Sequence, residues 1–218
     1  MNQQSEPIRI EPRWPVAITA LAVLFLLTVL PWRIRVFPIW VPYMAVITLI
    51  VPMAALNLTT DKVRWMRVER TNTLLFCTIA EGTTVAALAR LLGAIMQGSR
   101  EIGGNQLLTS SVAVWVMNVL TFSLLYWQID RGGPASLAKH PRRDWLFPQQ
   151  SAGKAAPADW RATFVDYLYL AYSTATAFSS TDVLPLTPRA KMLMMVESAI
   201  SLVTTVAIAS RAINILGT

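Results

Sequence analysis

Long apolar runs recur along this chain, at residues 15–30, 36–56, 73–97, 107–127 and 191–213. A helix needs about 20 mostly apolar residues to cross a hydrocarbon core about 30 Å thick. Within that core every backbone polar group must be satisfied inside the segment, which restricts the runs to helices. The runs therefore predict an all-α membrane protein of about five transmembrane helices. Composition agrees, because 54% of the 218 residues are apolar and only 14% are charged, against roughly a quarter charged in an average soluble domain.

The flanks of the runs carry the expected signals. Trp14 and Trp32 bracket the first run, where amphipathic rings favour the membrane interface. No small-residue cleavage site follows that run, so it is expected to be retained and not to act as a signal peptide. Pro38, Pro42 and Pro52 lie in or beside the second run, and a kink near Pro52 is expected. A polar, basic connection, 57–72, precedes the third. A short loop with Gly103 and Gly104 precedes the fourth, whose one strongly polar interior residue, Asn118, can bond to a neighbouring helix.

The third run is the least pure, since it holds Glu81 and Arg90. A mid-membrane charge costs about 3 kcal/mol on insertion scales, so such residues face protein or water. At about 100° per residue, nine residues place the two on opposite faces, and each needs a partner from elsewhere. Either a structural bond between helices or a place on an ion or proton path would meet that need.

The net charge of +7 does not imply a nucleic-acid partner, because the basic residues sit between apolar spans. The single cysteine, Cys77, and the single histidine, His140, leave no disulfide framework and no Cys or His metal cluster. No metal site, cofactor or catalytic residue is expected, and the chain is not expected to be an enzyme. No run carries Arg or Lys at every third position, so no voltage sensor is expected. Any gate would lie in the helices, the long loop or a partner.

After the fourth run the composition changes. Residues 130–159 are rich in Pro, Gly, Ala and charge, which predicts an extramembrane loop. Within it, 144–148 (Asp-Trp-Leu-Phe-Pro) is apolar enough to dock onto the membrane surface or the bundle. The next apolar segment, 163–176, would reach only about 21 Å as a helix, short of a full crossing. A polar turn and a full-length apolar run follow it, which predicts a short re-entrant helix. Irregular backbone at that depth is tolerated where it is buried in protein or lines a wet cavity.

The turn, Thr176-Ala177-Phe178-Ser179-Ser180-Thr181-Asp182-Val183-Leu184-Pro185-Leu186-Thr187-Pro188, resembles the two-helix potassium-channel pore family. In that family a pore helix ends in a Thr-Thr-Val-Gly-Tyr-Gly-Asp filter, followed by a Pro-x-Thr-Pro turn and a basic residue opening the inner helix. On this resemblance Asp182 falls on the post-filter Asp, Pro185, Thr187 and Pro188 on the exit turn, and Lys191 at the opening of the inner helix. Glu197 falls where the family often has an acidic residue, and 164–169 reads like the aromatic start of a pore helix. The likeness covers about half the chain and divides it in two. Residues 1–106 form an N-terminal three-helix transmembrane region, and 107–218 a potassium-channel-like pore module containing the 130–159 loop. The chain is also similar to bacterial multi-pass proteins of unassigned function, which implies the bacterial cytoplasmic (inner) membrane as its location.

The filter departs from the family pattern, since Ala177-Phe178-Ser179-Ser180-Thr181 replaces Thr-Val-Gly-Tyr-Gly and no glycine occurs between Gly153 and Gly217. Stacked rings of axis-pointing carbonyls need φ angles open mainly to glycine. Hydroxyls of Thr176, Ser179, Ser180 and Thr181 can instead line a wider, hydrated pore, or Phe178 can plug it. The resemblance thus implies an ion-channel-like protein in a lipid bilayer, a homo-oligomer that is tetrameric if it forms a pore, with a monovalent cation passing a weakly selective turn. The alternative is a non-conducting scaffold or sensor that keeps the pore-module fold and uses 144–150 to engage a partner.

Loop charge orients the runs. Most of the 19 basic residues fall on the side holding the N-terminus, the 57–72 connection, the 130–159 loop and the exit turn. The positive-inside rule puts that side in the cytoplasm, which inverts the pore loop relative to the family.

Overall fold

The computed structural model describes residues 14–32, 34–38, 40–41, 43–44, 47–49, 51, 62–96, 104–130, 143–152, 157, 160–176 and 182–216. Among them the chain is mostly helical, with α1 at Trp14–Val29, α2 at Lys62–Met96, α3 at Gly104–Ile129, α4 at Pro148–Ser151, α5 at Phe164–Thr176 and α6 at Pro188–Leu216. Two residue pairs form a minimal antiparallel ribbon, β1 (Trp145–Leu146) against β2 (Leu184–Pro185), with Trp145 opposite Pro185 and Leu146 opposite Leu184.

Three helices are long and apolar enough to cross a membrane among the described residues, Arg67–Met96, Gly104–Ile129 and Pro188–Ile213. The first predicted run forms α1, whose 16 residues reach about 24 Å, short of the hydrocarbon thickness. About half of the second, 36–56, lies outside the described residues, and within it 40–41, 43–44, 47–49 and 51 are helical. The third begins earlier than expected, since α2 takes in 62–72 from the predicted polar connection. That stretch is basic but contains neither Gly nor Pro, and charge alone does not stop a helix.

Packing centres on α3, which touches α1, α2, α5 and α6. Its burial runs all the way round, including Leu107, Val114, Met117, Phe122, Leu124 and Trp127, as a helix surrounded by others requires. In α1 the buried residues Ala20, Val23, Leu24 and Leu27 recur at helical spacing, while Ile18, Leu21 and Phe25 are exposed. Cys77, Ala80, Thr84, Ala87, Leu88 and Leu91 form the corresponding stripe on α2. By contrast α6 exposes Met192, Met195, Val196, Leu202, Val203 and Val206, an apolar surface suited to lipid or to other helices.

The path from α3 to α6 leaves one end of the bundle and comes back to it. Asp130, just past α3, accepts a hydrogen bond from Tyr167 near the start of α5 (2.6 Å). From there α5 runs inward, and its last turn meets the middle of α6, where the Ser198 hydroxyl donates to the Thr174 carbonyl (3.3 Å). Residues 184–185 are then back at the starting end, paired with β1. The segment Asp144 to Pro148 docks onto the bundle. Trp145 is fully buried with its ring 4.8 Å from that of Tyr126, and Phe147 packs against Tyr167 and Trp160.

Local signals explain the helix starts. Thr163 precedes α5, and Asp166 three residues on accepts from both the Thr163 backbone N–H (2.7 Å) and its hydroxyl (2.8 Å), the reach-back of a capping box. Thr187 precedes α6 with Pro188 at its first position, and the Thr187 hydroxyl accepts from the Ala190 N–H (3.3 Å). The Pro-x-Thr-Pro exit turn is therefore a helix-start signal in its own right.

Candidate functional site

Two buried polar clusters lie along the returning path, one at its mouth and one at its depth. At the mouth, Asp144 is fully buried and its carboxylate accepts from the Thr187 hydroxyl (2.5 Å), from Arg189 Nε (2.6 Å) and from Arg189 Nη2. Arg189 thus engages it with two nitrogens, the fork geometry that suits a carboxylate. The Asp144 N–H donates to Asp130 (2.7 Å), and its carbonyl accepts from the Leu186 N–H (2.8 Å). This clasp ties together the end of α3, the docked loop, α5 through Tyr167 and the start of α6.

At the depth, Glu197 of α6 is fully buried and accepts a hydrogen bond from the Tyr126 hydroxyl of α3. Asn118, about two turns before Tyr126 on α3, donates to the Ser201 hydroxyl (2.7 Å) and to the Glu197 carbonyl (3.3 Å). Glu81, on α2, has a buried carboxyl group. Both oxygens of Glu81, Oε1 of Glu197 and Oδ1 of Asn118 are buried and have no hydrogen-bond partner among the described residues. Buried polar oxygens are seldom left in this state. The cluster sits at the level of the last turn of α5, because Ser198, next to Glu197, meets Thr174.

The residues singled out in the sequence separate as follows. Thr176 closes α5, half-buried, its hydroxyl donating to the Ser173 carbonyl (3.1 Å). Ala177, Phe178, Ser179, Ser180 and Thr181 lie outside the described residues, and Asp182 beyond them is exposed. Pro185 sits in the ribbon opposite Trp145, while Thr187 and Pro188 start α6. Glu81 has a buried carboxyl group with no hydrogen-bond partner among the described residues, whereas Arg90 donates to the Arg35 carbonyl beyond α1 (2.5 Å). Arg35 itself caps α1 through the carbonyls of Thr28 (2.7 Å) and Leu30 (3.1 Å). Asn118 bonds a neighbouring helix, as its position in an apolar run suggests.

Sequence reading did not single out Tyr126, Ser201, Arg189 or Asp130. Tyr126 in an apolar aromatic run looks like ordinary core, and Glu197 lies 71 residues away from it. Trp145 and Phe147 are spent inside the bundle, being fully or nearly fully buried, and do not form an exposed hook. No protein-family model, curated protein or solved structure matches the chain.

Proposed function

We propose that this is an ion-channel-like integral membrane protein, in which α5 is a re-entrant helix and Thr176 to Asp182 of several copies surround a common axis. One observation carries the reading: the chain between α3 and α6 goes in along α5 and comes back to the end it left, so that residues 167 and 184–187 share that end. The last turn of α5 lies beside α6 residue 198, and on this reading the hydroxyl-rich sequence that follows Thr176 needs either protein or water around it. The clasp of Asp144, Thr187 and Arg189 fixes the mouth of that path. The exposed apolar face of α6 offers surface for lipid and for further copies of the chain. On this reading the full chain crosses the bilayer about five times, with α1 and the 36–56 run as the added crossings, and resides in the bacterial cytoplasmic membrane.

Ion flux tests the reading. Purified protein in liposomes is expected to give a monovalent-cation leak that Phe178→Ala increases and Asp182→Asn alters. Silence in the native protein and in both variants refutes conduction and leaves a non-conducting scaffold with the same helix arrangement.

A further inference from the structure

The end of the bundle away from the clasp carries two arginines that the pore reading does not use. The clasp lies past the end of α3 at Ile129, whereas α2 leads from Met96 into the start of α3 at Gly104. Arg90 is exposed on the spanning part of α2, about 9 Å before that helix ends. At about 100° per residue it returns to within about 20° of Ile79, which is exposed together with Leu75 on the same face. That face is apolar and turned outward, so Arg90 meets lipid and not the core. Its Nη1 donates to the Arg35 carbonyl (2.5 Å), in the turn that leaves α1. Arg35 sends its own guanidinium back over the end of α1, with Nη2 on the carbonyls of Thr28 and Leu30 and a buried Nε that bonds nothing among the described residues. Every acceptor here is a neutral carbonyl. No carboxylate among the described residues pairs with either guanidinium, so two positive charges share one turn with no acid beside them.

The neighbouring rings set the depth of this turn. Trp32, Phe37 and Trp40 are exposed on the segment that contains Arg35, and tryptophan rings favour the headgroup level of a membrane. An arginine that leaves an apolar face near that level extends its stem to the polar boundary. The acceptor waiting there is phosphate, which a guanidinium binds with two nitrogens at once. We propose that Arg90 and Arg35 bind the phosphate of an anionic glycerophospholipid, whose acyl chains lie along the exposed Leu75 and Ile79 face of α2. A headgroup with net negative charge is favoured over a zwitterionic one, because the cation of the latter is repelled by the second arginine. The site does not depend on conduction, since neither arginine belongs to the re-entrant path.

The test uses full-length protein in detergent micelles containing phosphatidylglycerol and phosphatidylcholine in equal amounts, with retained lipid counted by native mass spectrometry. The native chain is expected to keep phosphatidylglycerol in preference, and Arg90→Gln to weaken that retention at least about tenfold. Arg90→Lys keeps the charge without the two-nitrogen fork and should recover only part of it, while Arg35→Gln should act in the same direction as Arg90→Gln. Lys191→Gln removes one exposed positive charge at the start of α6 and is expected to change nothing. Because Arg90 is exposed and its one bond ends on a backbone carbonyl, its variants are expected to fold, with native helix content by circular dichroism. A rise in thermal midpoint on adding phosphatidylglycerol, lost in Arg90→Gln, gives a second readout. Equal retention of the two lipids by the native protein overturns the proposal, as does undiminished phosphatidylglycerol in both Arg90→Gln and Arg35→Gln. An equal loss in Lys191→Gln would make the preference one of overall charge and overturn it too. Inorganic phosphate raising the midpoint as far as phosphatidylglycerol would assign the arginines to a free anion and refute the lipid. A protein silent in flux assays that keeps its lipid preference would refute the pore and uphold the site.

Discussion

Removing the two partners of the clasp should have unequal effects. Asp144 has a fully buried side chain, whereas the Arg189 side chain is 55% exposed. In Arg189→Met the carboxylate stays buried with only the Thr187 hydroxyl as a side-chain donor. Stranding a buried charge costs about 3–5 kcal/mol, and the lower half of that range applies because the guanidinium is partly solvated and screened. In Asp144→Asn the stranded group is Arg189, which can turn to water, so the loss is limited to its charge-assisted hydrogen bonds, about 2 kcal/mol. Combining the two should recover at least about 1 kcal/mol relative to their sum, since each single change already removes the shared interaction. Reversible unfolding of the purified protein in mixed micelles, titrated with a denaturing detergent, measures all three variants. An equal or larger loss in Asp144→Asn, or full additivity in the double variant, would refute the assignment of the buried member as the costly one.

Three further outcomes follow from the same geometry. Tyr126→Phe removes the hydroxyl that donates to the Glu197 carboxyl group and should cost about 2 kcal/mol in the same unfolding assay, with near-native helix content by circular dichroism. Trp145→Ala empties a fully buried site against Tyr126 and should cost about 3–5 kcal/mol, accompanied by faster proteolysis within 143–152; an unchanged cleavage rate would mean the loop is held by other contacts. Thr187→Ala should lose about 1 kcal/mol from the cap of α6 plus its bond to Asp144, and Thr187→Ser should restore most of it, because the hydroxyl serves both.

The parts of the fold that were readable in the sequence are those set by local rules. Apolar runs located α3 and α6, whereas the caps at Thr163 with Asp166 and at Thr187 with Pro188 came to light only in the structure. The short reach of 163–176 told that α5 could not be a full crossing, and the docking of 144–148 followed from its apolar character. The start of α2 was less legible, because the basic residues of 62–72 mimic a loop while its propensities continue a helix. The clusters were not readable at all. Asp144 and Arg189 are 45 residues apart, and Tyr126 and Glu197 are 71 apart. The docking of 144–146 against 184–186 brings the first pair together, and the packing of α3 on α6 the second. Glu81 and Arg90 illustrate the division: their opposite faces were deducible from helical geometry, but that Arg90 would find the Arg35 carbonyl depends on tertiary packing.

The most direct test of the re-entrant path is sidedness. On a Cys77→Ser background, single cysteines at Gln149, Leu184 and Thr218 would be labelled in intact cells with a membrane-impermeant thiol reagent, and again after permeabilisation. Gln149 and Leu184 are both exposed and flank the α5 excursion, so they should be labelled from one side and Thr218, beyond α6, from the other. On the proposed reading the charge distribution leads one to expect Gln149 and Leu184 on the cytoplasmic side, protected until the membrane is opened. Labelling of Gln149 and Leu184 from opposite sides would make α5 a crossing and contradict the returning path.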